Sequence, residues 1–109
     1  MMRTVHNKLV RDRIPEIIQA AGREYSIETM EKEEFHHALR AKLVEEAQEA
    51  AAATDADLVT ELADLYEVID TLMAASGIDR ETVLKEQKCR RLERGGFSRR
   101  IRLLWSGAD

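Results

Sequence analysis

Five acidic residues stand at spacings that chemistry can use. Glu45-Glu46-x-x-Glu49 is followed, after eleven residues, by Glu61-x-x-Asp64. Carboxylates three positions apart share one side of a helix. Hard divalent cations such as Mg²⁺ or Mn²⁺ take oxygen ligands of this kind, with waters completing an octahedron. At about 100° per residue, Glu46 falls roughly 20° from Leu39, inside the apolar stripe of Leu39, Leu43 and Ala50. Glu49 lies one turn on, at the edge of that stripe, and Glu45 lies beyond it on the same flank. Burying an unpaired carboxylate is expensive, so Glu46 needs a cation or must hold a proton. Glu61 borders the stripe of Leu58 and Leu65, with Asp64 one turn on, whereas Glu67 and Asp70 project to the far side. The bland alternative is a solvated acidic flank. Any single Glu-x-x-Glu means nothing in a chain with 21 acidic residues; two such pairs on adjacent helices favour a metal site.

The elements that must carry these groups are helices. Of the 109 residues only 1 is Pro and 5 are Gly, with 44% hydrophobic and 35% charged. That composition excludes a disordered chain, a collagen-like chain and a Gly/Pro-rich sandwich. Asp12 can cap a short helix that runs through Ala21, with Pro15 in its first turn and Gly22 stopping it. A long helix is expected from Thr29 to about Ala53, its apolar positions including Phe35, Leu39 and Leu43. Thr54-Asp55-Ala56-Asp57 breaks it and caps the next, from about Ala56 to Ser76, with a stripe of Leu58, Leu62, Leu65, Ile69 and Leu72 and a C-cap at Gly77. So short a connection makes the two helices antiparallel neighbours, and Glu46, Glu49, Glu61 and Asp64 can converge on one seam. Asp79 caps a further helix to about Glu93. Weak alternation in residues 23–30 and clearer alternation at Ile101, Leu103 and Trp105 suggest two short strands pairing as a small ribbon. The reading is one all-α domain over residues 1–109, an antiparallel helical hairpin with a small two-stranded β ribbon.

Charge is segregated along the chain. Fourteen acids and three bases lie between Glu24 and Asp70, and eight bases and two acids between Lys85 and Arg102. An acidic centre with basic flanks suits a metal-bound phosphate ligand. Lys88, Arg91 and Arg94 share a helical face and are candidate phosphate contacts, against the alternative of a solvated basic helix end. Lys8, Arg11 and Arg13 are further candidates, although Arg11 or Arg13 could pair locally with Asp12 or Glu16. Gly95-Gly96 lacks the spacing of a P-loop and reads as a turn. Glu33-x-x-His36 and Glu34-x-x-His37 match one half of a di-iron helical pattern, but the other half is missing, and surface histidines are favoured. The single Cys89 excludes an internal disulfide framework and a thiolate zinc site, and suits a reducing compartment.

The acidic pattern resembles the signature of the all-α NTP pyrophosphohydrolases, a superfamily that includes MazG, the dimeric dUTPases and phosphoribosyl-ATP pyrophosphohydrolase. Asn7-Lys8-Leu9-Val10-Arg11-Asp12-Arg13-Ile14-Pro15 and Arg94-Gly95-Gly96-Phe97 resemble a compact subgroup of it. The resemblance implies a MazG-like bundle and Mg²⁺-dependent hydrolysis of a nucleoside triphosphate between its α and β phosphates, giving monophosphate and pyrophosphate. It also implies a house-cleaning role on non-canonical or surplus nucleotides. By matching positions, Glu46, Glu49, Glu61 and Asp64 would be metal ligands, with Mn²⁺ as a substitute ion, and Glu45 an accessory ligand or the base that orients water. The gap between Glu49 and Glu61 is short for the superfamily, and no Asn clearly precedes Lys88.

Two helices alone leave much apolar face uncovered, so a homodimer or higher homo-oligomer is expected. No apolar run is long enough to span a membrane, and the first residues lack the apolar stretch of a secretory signal. The chain therefore reads as cytoplasmic. Its formal net charge of -4 argues against a nucleic-acid partner. The rival functional reading is a non-catalytic helical module, sensing nucleotides or binding another protein, whose carboxylates hold a cation structurally.

Overall fold

The computed structural model describes residues 2–108 and contains four helices: α1 (Ile14–Ala20), α2 (Lys32–Ala52), α3 (Leu58–Ala75) and α4 (Arg80–Arg94). The chain forms two compact units, Met1–Gly77 and Ile78–Asp109.

In the first unit, residues 11–13 lead into α1 by a turn in which the Ile14 N–H donates to the Arg11 carbonyl at 3.1 Å. Pro15 sits in the first helical turn, where its missing N–H goes unmissed. The expected cap at Asp12 is not used: Arg13 occupies the N-cap position and no side chain caps the helix. The exit matches the expectation. Gly22 adopts φ 73°, its N–H donates to the Gln19 carbonyl at 2.9 Å, and the Arg23 N–H reaches back to Ile18 at 3.2 Å. That paired closure requires a left-handed residue, which glycine supplies without strain.

α2 begins at Lys32, three residues after the expected Thr29, with Glu31 at its N-cap. It ends where Ala53 turns extended (φ -68°, ψ 147°). Five residues later α3 starts behind Asp57 and packs along α2, as a short connection dictates. The shared core is thin: among the described residues Leu39 (2% exposed) and Val68 (9%) are its buried apolar members. The apolar stripe expected on α3 holds in its second half, where Leu65, Ile69 and Leu72 are half-buried, and is corrected in its first. Leu58 and Leu62 are exposed, and the side turned to α2 runs through Glu61, Leu65, Val68 and Leu72 at helical spacing. The acidic residue lies in the contact face and not at its border.

The second unit holds α4, behind Asp79 and ended by Gly95 at φ 85°, ψ 176°, a region essentially restricted to glycine. The expected β ribbon is absent. Neither residues 24–30 nor residues 97–105 form a strand, and the described residues contain no sheet. Alternating side chains make a strand only when a second backbone takes up the N–H and C=O groups, and neither segment has such a ladder.

Candidate metal centre

Glu46 is the one buried charged residue among those described, at 7% exposure. It occupies the α2 stripe two turns beyond Leu39, so the packing that buries Leu39 buries it as well. Around it two groups of carboxylates form. Glu46, Glu61 and Asp64 bring one oxygen each within 4.8 Å of one another across the α2–α3 seam, and Glu45, Glu46 and Glu49 do so along α2. Glu46 belongs to both, which ties the five residues into one cluster. Oxygens bound to a single octahedral Mg²⁺ lie at most ~4.2 Å apart, so small side-chain shifts suffice to share an ion.

Two carboxylate oxygens carry a sharper message. Glu46 Oε2 and Glu61 Oε2 are buried and have no hydrogen-bond partner. Native structures seldom leave such acceptors unsatisfied. Burial, followed by the charge of Glu49, pushes the Glu46 carboxyl above its usual range, with Lys42 opposing. Oxygen donors converging from two helices, two of them unpartnered, fit a hard divalent cation.

Among the described residues three cations touch the cluster. Lys42 Nζ lies 3.4 Å from Glu45 Oε2 and 3.6 Å from Glu46 Oε1. Sequence reasoning passed over this residue, although its four-residue spacing from Glu46 is the usual signal of a helical ion pair. Lys8 Nζ donates to Glu45 Oε1 at 3.1 Å, and Arg11 Nη2 donates to Asp64 Oδ1 at 2.7 Å. Arg11 thus pairs neither with Asp12 nor with Glu16; it is Arg13 that bonds Glu16, at 3.1 and 3.2 Å. The Lys8 hydrogen bond, helped by Lys42, holds the Glu45 carboxyl below its usual range against some burial. A cavity of about 170 Å³ opens beside this pair, lined by Asn7–Leu9, Met30, Ala38, Ala41, Lys42 and Glu45.

Lys88, Arg91 and Arg94 lie on α4, exposed, within the second unit. Among the described residues, no group able to hold a metal includes His36 or His37. Cys89 is an exposed free thiol.

Residues 7–91 match the family described as phosphoribosyl-ATP pyrophosphohydrolase. A protein of Mycolicibacterium smegmatis (strain ATCC 700084 / mc(2)155), described as uncharacterized, is 50% identical over 54 residues, which cover 50% of this chain and 55% of that protein. The match thus spans about half the length of that relative. No solved structure matches the chain. The family match covers well over half of the sequence and contains all five clustered acids. The chain belongs to the phosphoribosyl-ATP pyrophosphohydrolase family, a pyrophosphohydrolase family within the all-α MazG-like NTP pyrophosphohydrolase superfamily.

Proposed function

We propose that this chain is a Mg²⁺-dependent hydrolase that cleaves nucleoside triphosphates to monophosphate and pyrophosphate, acting as a house-cleaning enzyme of the cytoplasm. The observation that carries the reading is the pair of buried, unpartnered oxygens on Glu46 and Glu61. Glu46, Glu49, Glu61 and Asp64 are the residues that would hold Mg²⁺, or Mn²⁺ in its place. An ion held by them would supply charge neutralisation at the phosphates and help activate the water.

The chain's own groups supply the rest. Glu45, with Lys42 3.4 Å away, accepts a hydrogen bond from the attacking water and takes its proton. The water oxygen bonds to the α-phosphorus, the bond from that phosphorus to the bridging oxygen breaks, and pyrophosphate leaves with the electron pair. The candidates to offset the charge of the β and γ phosphates are Lys8 and Arg11 in the first unit and Lys88, Arg91 and Arg94 in the second, the arginines through paired N–H donors. The working form is a homodimer or higher homo-oligomer, since Leu58, Val59, Leu62 and Tyr66 on α3 are exposed and a second copy would cover them.

The test is product analysis with the full chain and Mg²⁺ over a panel of ribo- and deoxyribonucleoside triphosphates plus phosphoribosyl-ATP. Release of pyrophosphate and the matching monophosphate from at least one compound, lost on adding EDTA, supports the reading. Release of orthophosphate, or turnover from none of the panel, refutes it.

A further inference from the structure

The seven residues before α1 do something the carboxylates alone do not explain. Lys8 and Arg11 stand three positions apart, yet they reach acids on different helices, Glu45 on α2 and Asp64 on α3, across 37 and 53 residues of sequence. Local chain geometry cannot produce such pairs; the segment must be held over the seam. Its anchors are visible. Leu9 between the two cations is half-buried, as are Ile14, Pro15 and Ile18 in the helix that follows. Asn7 turns the backbone at φ 46°, a left-handed conformation that asparagine tolerates better than most residues.

The held segment contrasts with its cationic tips. The side chains of Lys8 and Arg11 are 48% and 57% exposed, so each can swing away without dragging the backbone. Solvent-exposed ion pairs of this kind shift an equilibrium by a factor of only about two to five.

We propose that residues 7–11 form a cationic arm that competes with a divalent cation for the carboxylate cluster and, once displaced from Glu45 and Asp64, grips the phosphates of the incoming ligand. The inference rests on the metal-site reading above and goes beyond it, because it assigns Lys8 and Arg11 two successive partners and opposite effects on two ligands. Arg11 donates to Asp64 at 2.7 Å, so its positive charge sits against a carboxylate the ion would use, and the two cations repel. A guanidinium or ammonium released from the cluster stays tethered beside it through the held backbone, where an anionic phosphate is its natural partner. One segment thereby makes cation entry weaker in the absence of phosphate and phosphate capture tighter in its presence.

Titration of the EDTA-stripped full chain with Mn²⁺, followed by electron paramagnetic resonance, reads the first half. Lys8→Ala and Arg11→Ala should each bind Mn²⁺ about threefold more tightly than the wild type, and the double variant about tenfold. Pyrophosphate titrated into the Mn²⁺-saturated proteins reads the second half, and both variants should bind it at least fivefold more weakly. Arg11→Lys keeps the charge and loses the fork, so it should leave Mn²⁺ affinity near wild type and still weaken pyrophosphate. Residues that merely support the fold would weaken both ligands together, and residues that only touch phosphate would leave Mn²⁺ unchanged; either result overturns the arm. Glu46→Gln separates the two readings. If the wild type binds Mn²⁺ and Glu46→Gln does not, the metal site stands and the arm is judged on its own variants; if the wild type binds none, both fall.

Discussion

Glu46 on α2 and Glu61 on α3 each turn a buried oxygen without a hydrogen-bond partner into the seam between their helices, and the two residues share a group of potential ligand atoms with Asp64. Such an arrangement stores repulsion wherever both carboxylates are ionised, which Lys42, 3.6 Å from Glu46 Oε1, offsets in part and a divalent cation would relieve further. The fold accommodates that because the surrounding core is small and the site lies where α2 and α3 press together.

The stored repulsion has a measurable sign. Glu46→Gln keeps the shape and removes the charge, so in EDTA at neutral pH it should stabilise the protein by about 1 kcal/mol, read as a higher midpoint of urea unfolding. Mg²⁺ at about 100 times its dissociation constant should add ~2.7 kcal/mol to the wild type, a rise of roughly 10 °C or more in Tm for a chain of this size. The variant should show neither shift.

Acid should separate Glu45 from Glu46. The folded protein raises the Glu46 carboxyl above 4.5, so it binds more protons there than the unfolded chain. Stability from protonated Glu46 is complete below 4.5 and disappears as pH rises through the raised value. Glu45 runs the other way: its carboxyl is lowered, so its contribution is present above 4.5 and lost as pH falls through the lowered value. Its side chain is about one-third exposed, at 34%, so solvent screening keeps that contribution under ~0.5 kcal/mol. Urea titrations in EDTA from about pH 3 to about pH 8 should therefore find the gap between wild type and Glu46→Gln widening with pH. The gap between wild type and Glu45→Gln should shrink only at the acid end.

α3 should set the assembly state. Val59 is 79% exposed beside Leu58, Leu62 and Tyr66, apolar surface that a second copy would cover. Light scattering on a sizing column should give at least a dimer for the wild type. Val59→Lys with Leu62→Glu should shift the mass to that of one chain.

The basic residues of α4 should act on the nucleotide and not on the ion. Arg94→Ala should raise KM about tenfold, the usual scale for losing one charge-assisted phosphate contact. Mn²⁺ affinity without nucleotide should not change. A loss of Mn²⁺ binding would place Arg94 in the support of the acidic cluster instead.

Much of this arrangement was legible in the sequence, and the illegible parts share a cause. α2 and α3 announce themselves through 3.6-residue periodicity, and Glu46 declares itself by sitting in an apolar stripe beside Leu39. Gly22 and Gly77 mark helix ends because left-handed closure selects glycine; both carry positive φ. The pair Arg13–Glu16 is local and could be foreseen. Arg11–Asp64 and Lys8–Glu45 could not, because partners 53 and 37 residues away are chosen by tertiary packing. Val68 was hidden for a related reason: with apolar residues on several sides of α3, sequence alone does not say which side meets α2. Alternation in residues 97–105 misled, because period two describes side chains and says nothing about whether a second backbone is within reach.

The most direct test is a crystal of the protein grown with Mn²⁺, measured at the manganese absorption edge. The account predicts an anomalous peak within coordination distance, about 2.2 Å, of oxygens from Glu46, Glu61 and Asp64. A fully occupied peak elsewhere with none in the α2–α3 seam, or no peak at saturating Mn²⁺, would contradict it.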